Sequence, residues 1–171
     1  EKGFARYRLT RQFSEGGLGR IWLARDSDLH REVVLKELQP GHAYSSDARR
    51  RFLREAQITG QLEHPSIVPV YELGHRPDGS IYYTMKLVRG KTLHEAVRGA
   101  DGLIDRMKLL PHFFDLCQAI AYAHNCGVNH RDIKPANLMV DRNGRVWIAD
   151  FGLAKLTEHQ AMTVTGDIVG T

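Results

Sequence analysis

One run of eight residues, His130-Arg131-Asp132-Ile133-Lys134-Pro135-Ala136-Asn137, constrains this chain more than any other stretch. Pro135 stops a helix from passing through it, because proline lacks the N–H and its ring clashes with the preceding turn. The run is therefore a loop that holds polar side chains in fixed places. It lies between a long helical pattern closed by Gly127 and a hairpin signalled by Asn143-Gly144. In such a loop Asp132 can accept a proton, Lys134 can neutralise a phosphate oxygen, and Asn137 can offer an amide oxygen to a hard cation. A second carboxylate, in Asp150-Phe151-Gly152, follows thirteen residues after Asn137. A lone His-Arg-Asp triplet would carry little weight, since charged residues cluster on any solvated loop. The full run followed by Asp-Phe-Gly is far more specific.

Composition bounds the rest. The 171 residues are 42% hydrophobic and 26% charged, enough for one domain-sized core. No apolar run reaches the roughly 18 residues of a membrane span, and the first residues lack the apolar core of a signal peptide. A chain that begins at Glu1 is expected to be cut from a longer product. Cys117 and Cys126 are expected to be buried free thiols, which suits the cytoplasm. The net charge of +4 is mild and scattered, so nucleic acid is not an expected partner.

Taken in order, Tyr7 to Phe13, Arg20 to Asp26 and Glu32 to Leu38 alternate as strands, with the glycine-rich turn Ser14-Glu15-Gly16-Gly17-Leu18-Gly19 after the first. Such a turn is either a plain hairpin or a flap whose backbone approaches phosphates. Lys36 stands in the otherwise apolar strand Val33-Val34-Leu35. Ser46 to Leu62 has helical spacing, with Ser46 as expected N-cap and Phe52, Ala56 and Thr59 on one face. Glu55 lies beside that face, where a surface pair with Arg51 is the plain alternative. Strands Val68 to Leu73 and Ile81 to Leu87 follow, joined through Pro77-Asp78-Gly79. Thr92-Leu93-His94-Glu95 is a capping box. Met107 to Asn125 predicts the longest helix, with Leu110, Phe113, Phe114, Cys117, Ile120, Ala121 and His124 as its apolar face and His124 packed.

These motifs, in this order, resemble the protein kinases over the whole chain, most nearly the bacterial eukaryotic-like (Hanks-type) serine/threonine kinases. The resemblance implies a two-lobed α+β fold. Residues 1–88 would form an antiparallel-sheet N-lobe with one helix, and 89–171 the first part of a mainly helical, truncated C-lobe. It implies ATP and Mg²⁺ as cofactors, with Mn²⁺ as an alternative ion, and phosphorylation of protein serine or threonine hydroxyls. Asp132 would be the base, Lys134 would contact the γ-phosphate, and Asn137 and Asp150 would hold the metal. Lys36 would meet the α- and β-phosphates, oriented by Glu55. The flap, Phe13-Ser14-Glu15-Gly16-Gly17-Leu18-Gly19-Arg20-Ile21, would cover the nucleotide. Met85 would guard the adenine pocket, the backbone of Lys86 and Val88 would bind the adenine edge, and Met139 would floor the pocket beneath Ile21 and Val34. Thr163 and Thr165 would be activating phosphorylation sites reached through Arg131 and Lys155, with a kinase dimer as the autophosphorylating partner.

Three departures from the family pattern stand out. Ser14 replaces the first glycine of the flap. Thr59 replaces a larger apolar residue expected to pack behind Phe151, which would loosen Glu55. The activation stretch stops at Gly170-Thr171, so the 171 residues alone are expected to be inactive. The alternative function is a truncated or pseudokinase module that binds nucleotide and acts as a scaffold.

Overall fold

A computed structural model describes residues 6–16, 19–42, 45–148 and 155–156, which form two compact units. The first comprises residues up to Gln61 and Val68–Leu87; the second comprises Leu62–Ile67 and the chain from Val88 onward.

The first unit is a five-stranded antiparallel sheet in the order β1-β2-β3-β5-β4 with one helix. Its strands are β1 (Tyr7–Gly16), β2 (Gly19–Asp26), β3 (Arg31–Leu38), β4 (Val70–His75) and β5 (Ile81–Lys86). Residues directly opposite each other in an antiparallel ladder leave the same face. One face therefore carries Ile21, Lys36 and Tyr83 in one row, and Leu23, Val34 and Met85 in the next. The opposite face buries a cluster of Tyr7, Ala24, Val33, Leu35 and Tyr82, with Leu9 and Trp22 packed against it. Beside that cluster Trp22 Nε1 donates to Glu37 Oε1 at 2.9 Å.

Helix α1 (Ser46–Gly60) is capped one residue earlier than expected: the Ser45 hydroxyl accepts from the Ala48 N–H at 3.3 Å. Adjacent serines are equivalent candidates in sequence, and only the one with extended backbone can fold back on the first turn. The helix buries Ala48, Phe52, Glu55, Ala56, Ile58 and Thr59. Phe52, Ala56 and Thr59 share the apolar face that their spacing predicts, and Glu55 lies buried with them.

Asp26 closes β2. It is fully buried, and its carboxylate accepts from Arg6 at 3.2 and 3.3 Å and from the N–H groups of Asp28 and Leu29 at 3.2 and 3.3 Å. Burial pushes this carboxyl up, but Arg6 and the two N–H groups outweigh burial, and it titrates below the ordinary carboxylate range. A group with a lowered folded-state pKa contributes stability above its unfolded value, about 3.9, and loses it as pH falls through the folded value. Asp26→Asn is therefore expected to cost about 2 kcal/mol at pH 7. The gap between variant and parent should narrow in urea unfolding below about pH 4. A gap that holds constant into acid would show that the charge of Asp26 contributes nothing.

In the second unit β6 (Gly90–Thr92), β8 (Leu138–Asp141) and β9 (Val146–Ile148) form a sheet in the order β6-β8-β9. Gly90 is required where it stands: a Cβ there would lie 1.9 Å from the Val140 carbonyl oxygen. The β8–β9 turn is closed by Asp141, whose carboxylate accepts from the N–H groups of Asn143 and Arg145 and from Trp147 Nε1, each at 2.9 Å. Helix α2 (Leu93–Arg98) opens with the complete Thr92–Glu95 capping box. Strand β7 (Val128–Asn129) pairs with β10 (Lys155–Leu156).

The helix predicted from Met107 to Asn125 starts later, as α4 (Leu110–Asn125) with Pro111 in its first turn, while Met107 ends a separate helix, α3 (Gly102–Met107). Moreover, α4 buries Leu116, Ala119 and Ala123, whereas Leu110, Phe113 and Phe114 are about 60% exposed. Ala121 and His124 are exposed too, so His124 is not packed. Nor are the thiols buried: Cys117 is exposed and Cys126 half-buried. Among the described residues no helix is long and apolar enough to cross a membrane.

Candidate active site

Lys36 and Glu55 meet inside the first unit. Lys36 Nζ lies 2.5 Å from Glu55 Oε1, with the side chains only 15% and 8% exposed. The sheet supplies the lysine and α1 supplies the glutamate, one turn after Phe52 anchors the helix. Coulomb attraction between such groups is strong where water is scarce, so the pair fixes the lysine cation in place. The surface pairing of Glu55 with Arg51 is not adopted. Gly19 runs over the lysine: a Cβ there would lie 3.1 Å from Lys36 Cε and 3.1 Å from the Glu37 carbonyl oxygen. The start of the strand after the flap thus lies so close to the lysine stem that a side chain there would force its neighbours to shift by a few tenths of an ångström.

Ser14 does not interrupt β1, which pairs with β2 as far as Gly16 opposite Gly19, and Phe13 is 43% exposed. Arg20 and Ile21 continue on β2. Val34 is half-buried, cross-strand from buried Met85, and the Lys86 N–H donates to the Pro69 carbonyl at 3.1 Å. Val88 is half-buried after β5. Phe151, behind which Thr59 was expected to pack, lies outside the described residues. The Thr59 hydroxyl donates to the Glu55 backbone carbonyl at 2.8 Å, a bond made within the helix.

The second unit brings Asp132, Lys134 and Asn137 together. Lys134 Nζ is 3.0 Å from Asp132 Oδ2, and Asn137 Nδ2 donates to Asp132 Oδ2 at 2.9 Å and to its carbonyl at 3.0 Å. A short 3₁₀ turn, Pro135–Asn137, sets Asn137 back over the aspartate. Buried His130 anchors the start of the loop, its Nδ1 accepting from the Asp132 N–H at 3.3 Å. Between them Arg131 adopts φ 70°, a left-handed conformation that a non-glycine residue holds only when its surroundings enforce it. Lys134 first, then Asn137, holds the Asp132 carboxyl below the usual carboxylate range, so it is ionised at neutral pH. Met139 follows on β8, opposite Thr92 and Trp147.

The donor set suits a nucleotide and a hard metal ion. Asn137 spends its N–H₂ group on Asp132, which leaves its amide oxygen as the donor that Mg²⁺ requires. Among the described residues no three His, Cys, Asp or Glu side chains converge. Asp150, Gly17, Leu18, Thr163, Thr165 and Thr171 lie outside the described residues, as do the side chains of Glu15 and Lys155; Gly16 is described as strand backbone.

One buried polar group at this site was not anticipated from the sequence. The Tyr83 hydroxyl donates to Glu55 Oε1 at 2.5 Å. Its signal was a tyrosine in a run of apolar strand residues, where the hydroxyl must find a partner.

The sequence is similar to those of known proteins. The protein kinase domain family model matches residues 7–171. The chain is 38% identical over 167 residues to serine/threonine-protein kinase PrkC of Bacillus subtilis, covering 97% of this chain and 25% of the relative. It is 39% identical over 171 residues to serine/threonine-protein kinase PknB of Mycolicibacterium smegmatis, covering 97% and 27%. It is 34% identical over 195 aligned positions to serine/threonine-protein kinase PknD of Protochlamydia amoebophila, covering 96% and 20%. The chain thus spans about a quarter of the length of these relatives. From the family match and the five-stranded sheet with its single helix, the chain belongs to the protein kinases, with an antiparallel N-lobe and the beginning of a C-lobe.

Proposed function

We propose that the protein containing this chain transfers a phosphoryl group from Mg·ATP to serine and threonine hydroxyls of proteins. The observation that carries the reading is the fixed cluster of Asp132, Lys134 and Asn137 on one short loop. Residues 1–88 would supply the N-lobe and 89–171 would belong to the C-lobe, with Leu62–Ile67 and Val88 clustering with the second unit. Phosphoryl transfer passes through a loose, highly anionic transition state, so positioning and neutralisation do most of the work. When bound, Mg·ATP supplies the phosphoryl group, and the metal, Mg²⁺ or Mn²⁺, spreads the charge of its oxygens.

The residues of this chain do the rest. Lys36, held by Glu55, neutralises the α- and β-phosphate oxygens. The flap from Phe13 to Ile21 covers the phosphates. Met85, Val34 and Met139 enclose the adenine, and the backbone of Lys86 and Val88 reads its edge. Asn137 and Asp150 hold the metal. Asp132 would orient the substrate hydroxyl and take its proton as the new P–O bond forms and the bond from the γ-phosphorus to the bridging oxygen breaks, releasing ADP. The Asp132 carboxyl, held below the usual carboxylate range by Lys134 and Asn137, is ionised and free to accept that proton. Lys134, now beside Asp132, moves its charge to the γ-phosphoryl oxygens as they arrive. The reaction belongs in the cytoplasm, where ATP is available.

The test is labelled-phosphate transfer by the full-length protein to a generic protein substrate, followed by phosphoamino-acid analysis. Label on serine and threonine is expected. Nucleotide binding without transfer would replace this reading by the scaffold reading.

Autophosphorylation between two copies is expected at Thr163 and Thr165. A phosphate carries about −1.5 to −2 charge and would pair with Arg131 and Lys155. Mass spectrometry after incubation with Mg·ATP should find phosphate on these threonines, and the Thr163→Ala/Thr165→Ala double variant should lose most activity. Phosphate found only elsewhere, with full activity in the double variant, rules the sites out.

A further inference from the structure

Tyr83 lies on β5 directly across from Lys36 on β3, so both side chains leave the same face of the sheet. Its hydroxyl donates to Glu55 Oε1 at 2.5 Å, and Lys36 Nζ meets that same oxygen, also at 2.5 Å. The tyrosine is 3% exposed, and its ring rests on Phe52 with centroids 5.3 Å apart. Lys36 Nζ lies 5.9 Å from the ring centroid. Every residue from Ile81 to Met85 is buried, so a tyrosine hydroxyl here loses water and must be bonded inside the protein.

We propose that Tyr83 is a positioning residue for phosphoryl transfer: it fixes the Glu55 carboxylate, and through it the Lys36 ammonium. The proposal rests on the reading above, in which Lys36 and Glu55 serve the phosphates. Two donors on one carboxylate oxygen make the lysine-engaged orientation of Glu55 the one that neighbouring strands β3 and β5 both reinforce. Turning Glu55 away from Lys36 forfeits the Tyr83 bond as well, in a buried place where water does not readily replace it. Rotation or withdrawal of α1 carries the same penalty, because Glu55 travels with the helix. Tyr83 thereby ties the catalytic lysine to a single placement of α1. The ring does the packing and the hydroxyl does the aiming, and these two contributions can be separated by one atom.

The experiment uses Tyr83→Phe in the full-length protein, which keeps the ring and removes the hydroxyl. Steady-state kinetics with Mg·ATP and a protein substrate are compared in four proteins: parent, Tyr83→Phe, Glu55→Ala and the double variant. We expect kcat to fall about tenfold in Tyr83→Phe while the KM for Mg·ATP stays within about twofold, because the lost interaction aims a charge at the transition state. In the Glu55→Ala background Tyr83→Phe should have no further effect, since its target is gone. Full activity of Tyr83→Phe, or an equal loss in both backgrounds, overturns the proposal. A loss that tracks a lowered melting temperature and disappears when the assay is cooled overturns it too, because that would be structural support alone. An inactive parent would instead overturn the catalytic reading itself, so the two failures are told apart by the first protein assayed.

Discussion

Lys36→Met in the full-length protein is expected to reduce phosphoryl transfer by about 10²–10³-fold, with nucleotide binding weakened by less than about tenfold. Methionine keeps most of the apolar stem that passes beneath Gly19 and removes only the cation. The nucleotide retains its other contacts in the ground state. The transition state loses a fixed positive charge where negative charge is spread widest, and in a site this sheltered such a charge is worth most. Glu55 is left with the Tyr83 hydroxyl but without its counter-charge, so some loss of stability accompanies the loss of rate. Coupled-assay kinetics and titration with a fluorescent nucleotide on the same preparation check both halves. Equal rates for variant and parent would remove Lys36 from the mechanism.

Phe52→Ala is expected to be the most damaging single change to the first unit, at about 3–5 kcal/mol. The ring is fully buried and packs on Tyr83. Its removal leaves a void between α1 and the sheet that an alanine cannot fill, at the position one turn before Glu55. A loss of this size lowers the melting temperature of a domain of this length by roughly 10 °C. Urea unfolding followed by circular dichroism measures it. A cost below about 1 kcal/mol would show that neighbouring side chains collapse into the space.

Much of this could be read from the residues alone, and the parts that could not have physical reasons. The strands around Lys36 and the capping box at Thr92 follow from alternation and from local hydrogen bonding, which need no tertiary information. The loop around Asp132 was legible because proline excludes the helix and leaves few roles for so many polar groups. Glu55 was ambiguous: helical spacing put it beside the apolar face, and the choice between Arg51 and Lys36 depends on how α1 is seated on the sheet. Helix α4 is a different case: its spacing marks Leu110, Phe113 and Phe114 as an apolar face, but spacing alone does not say what covers a face, and among the described residues the helix buries Leu116, Ala119 and Ala123 instead. Tyr83 escaped because strand propensity explains a tyrosine in β5 well enough without its hydroxyl. Only the acceptor shows that the oxygen has a purpose.

The chain has two tryptophans, Trp22 in the first unit and Trp147 in the second. Each indole N–H donates at 2.9 Å to a carboxylate, Glu37 and Asp141 respectively. Nature has thereby placed one intrinsic fluorophore in each unit, each beside an anionic group that biases its emission. Within these 171 residues, Trp22→Phe and Trp147→Phe variants would leave one tryptophan reporter each. Denaturant titrations of the two would show directly whether the units melt as one cooperative body or in sequence, without any label attached.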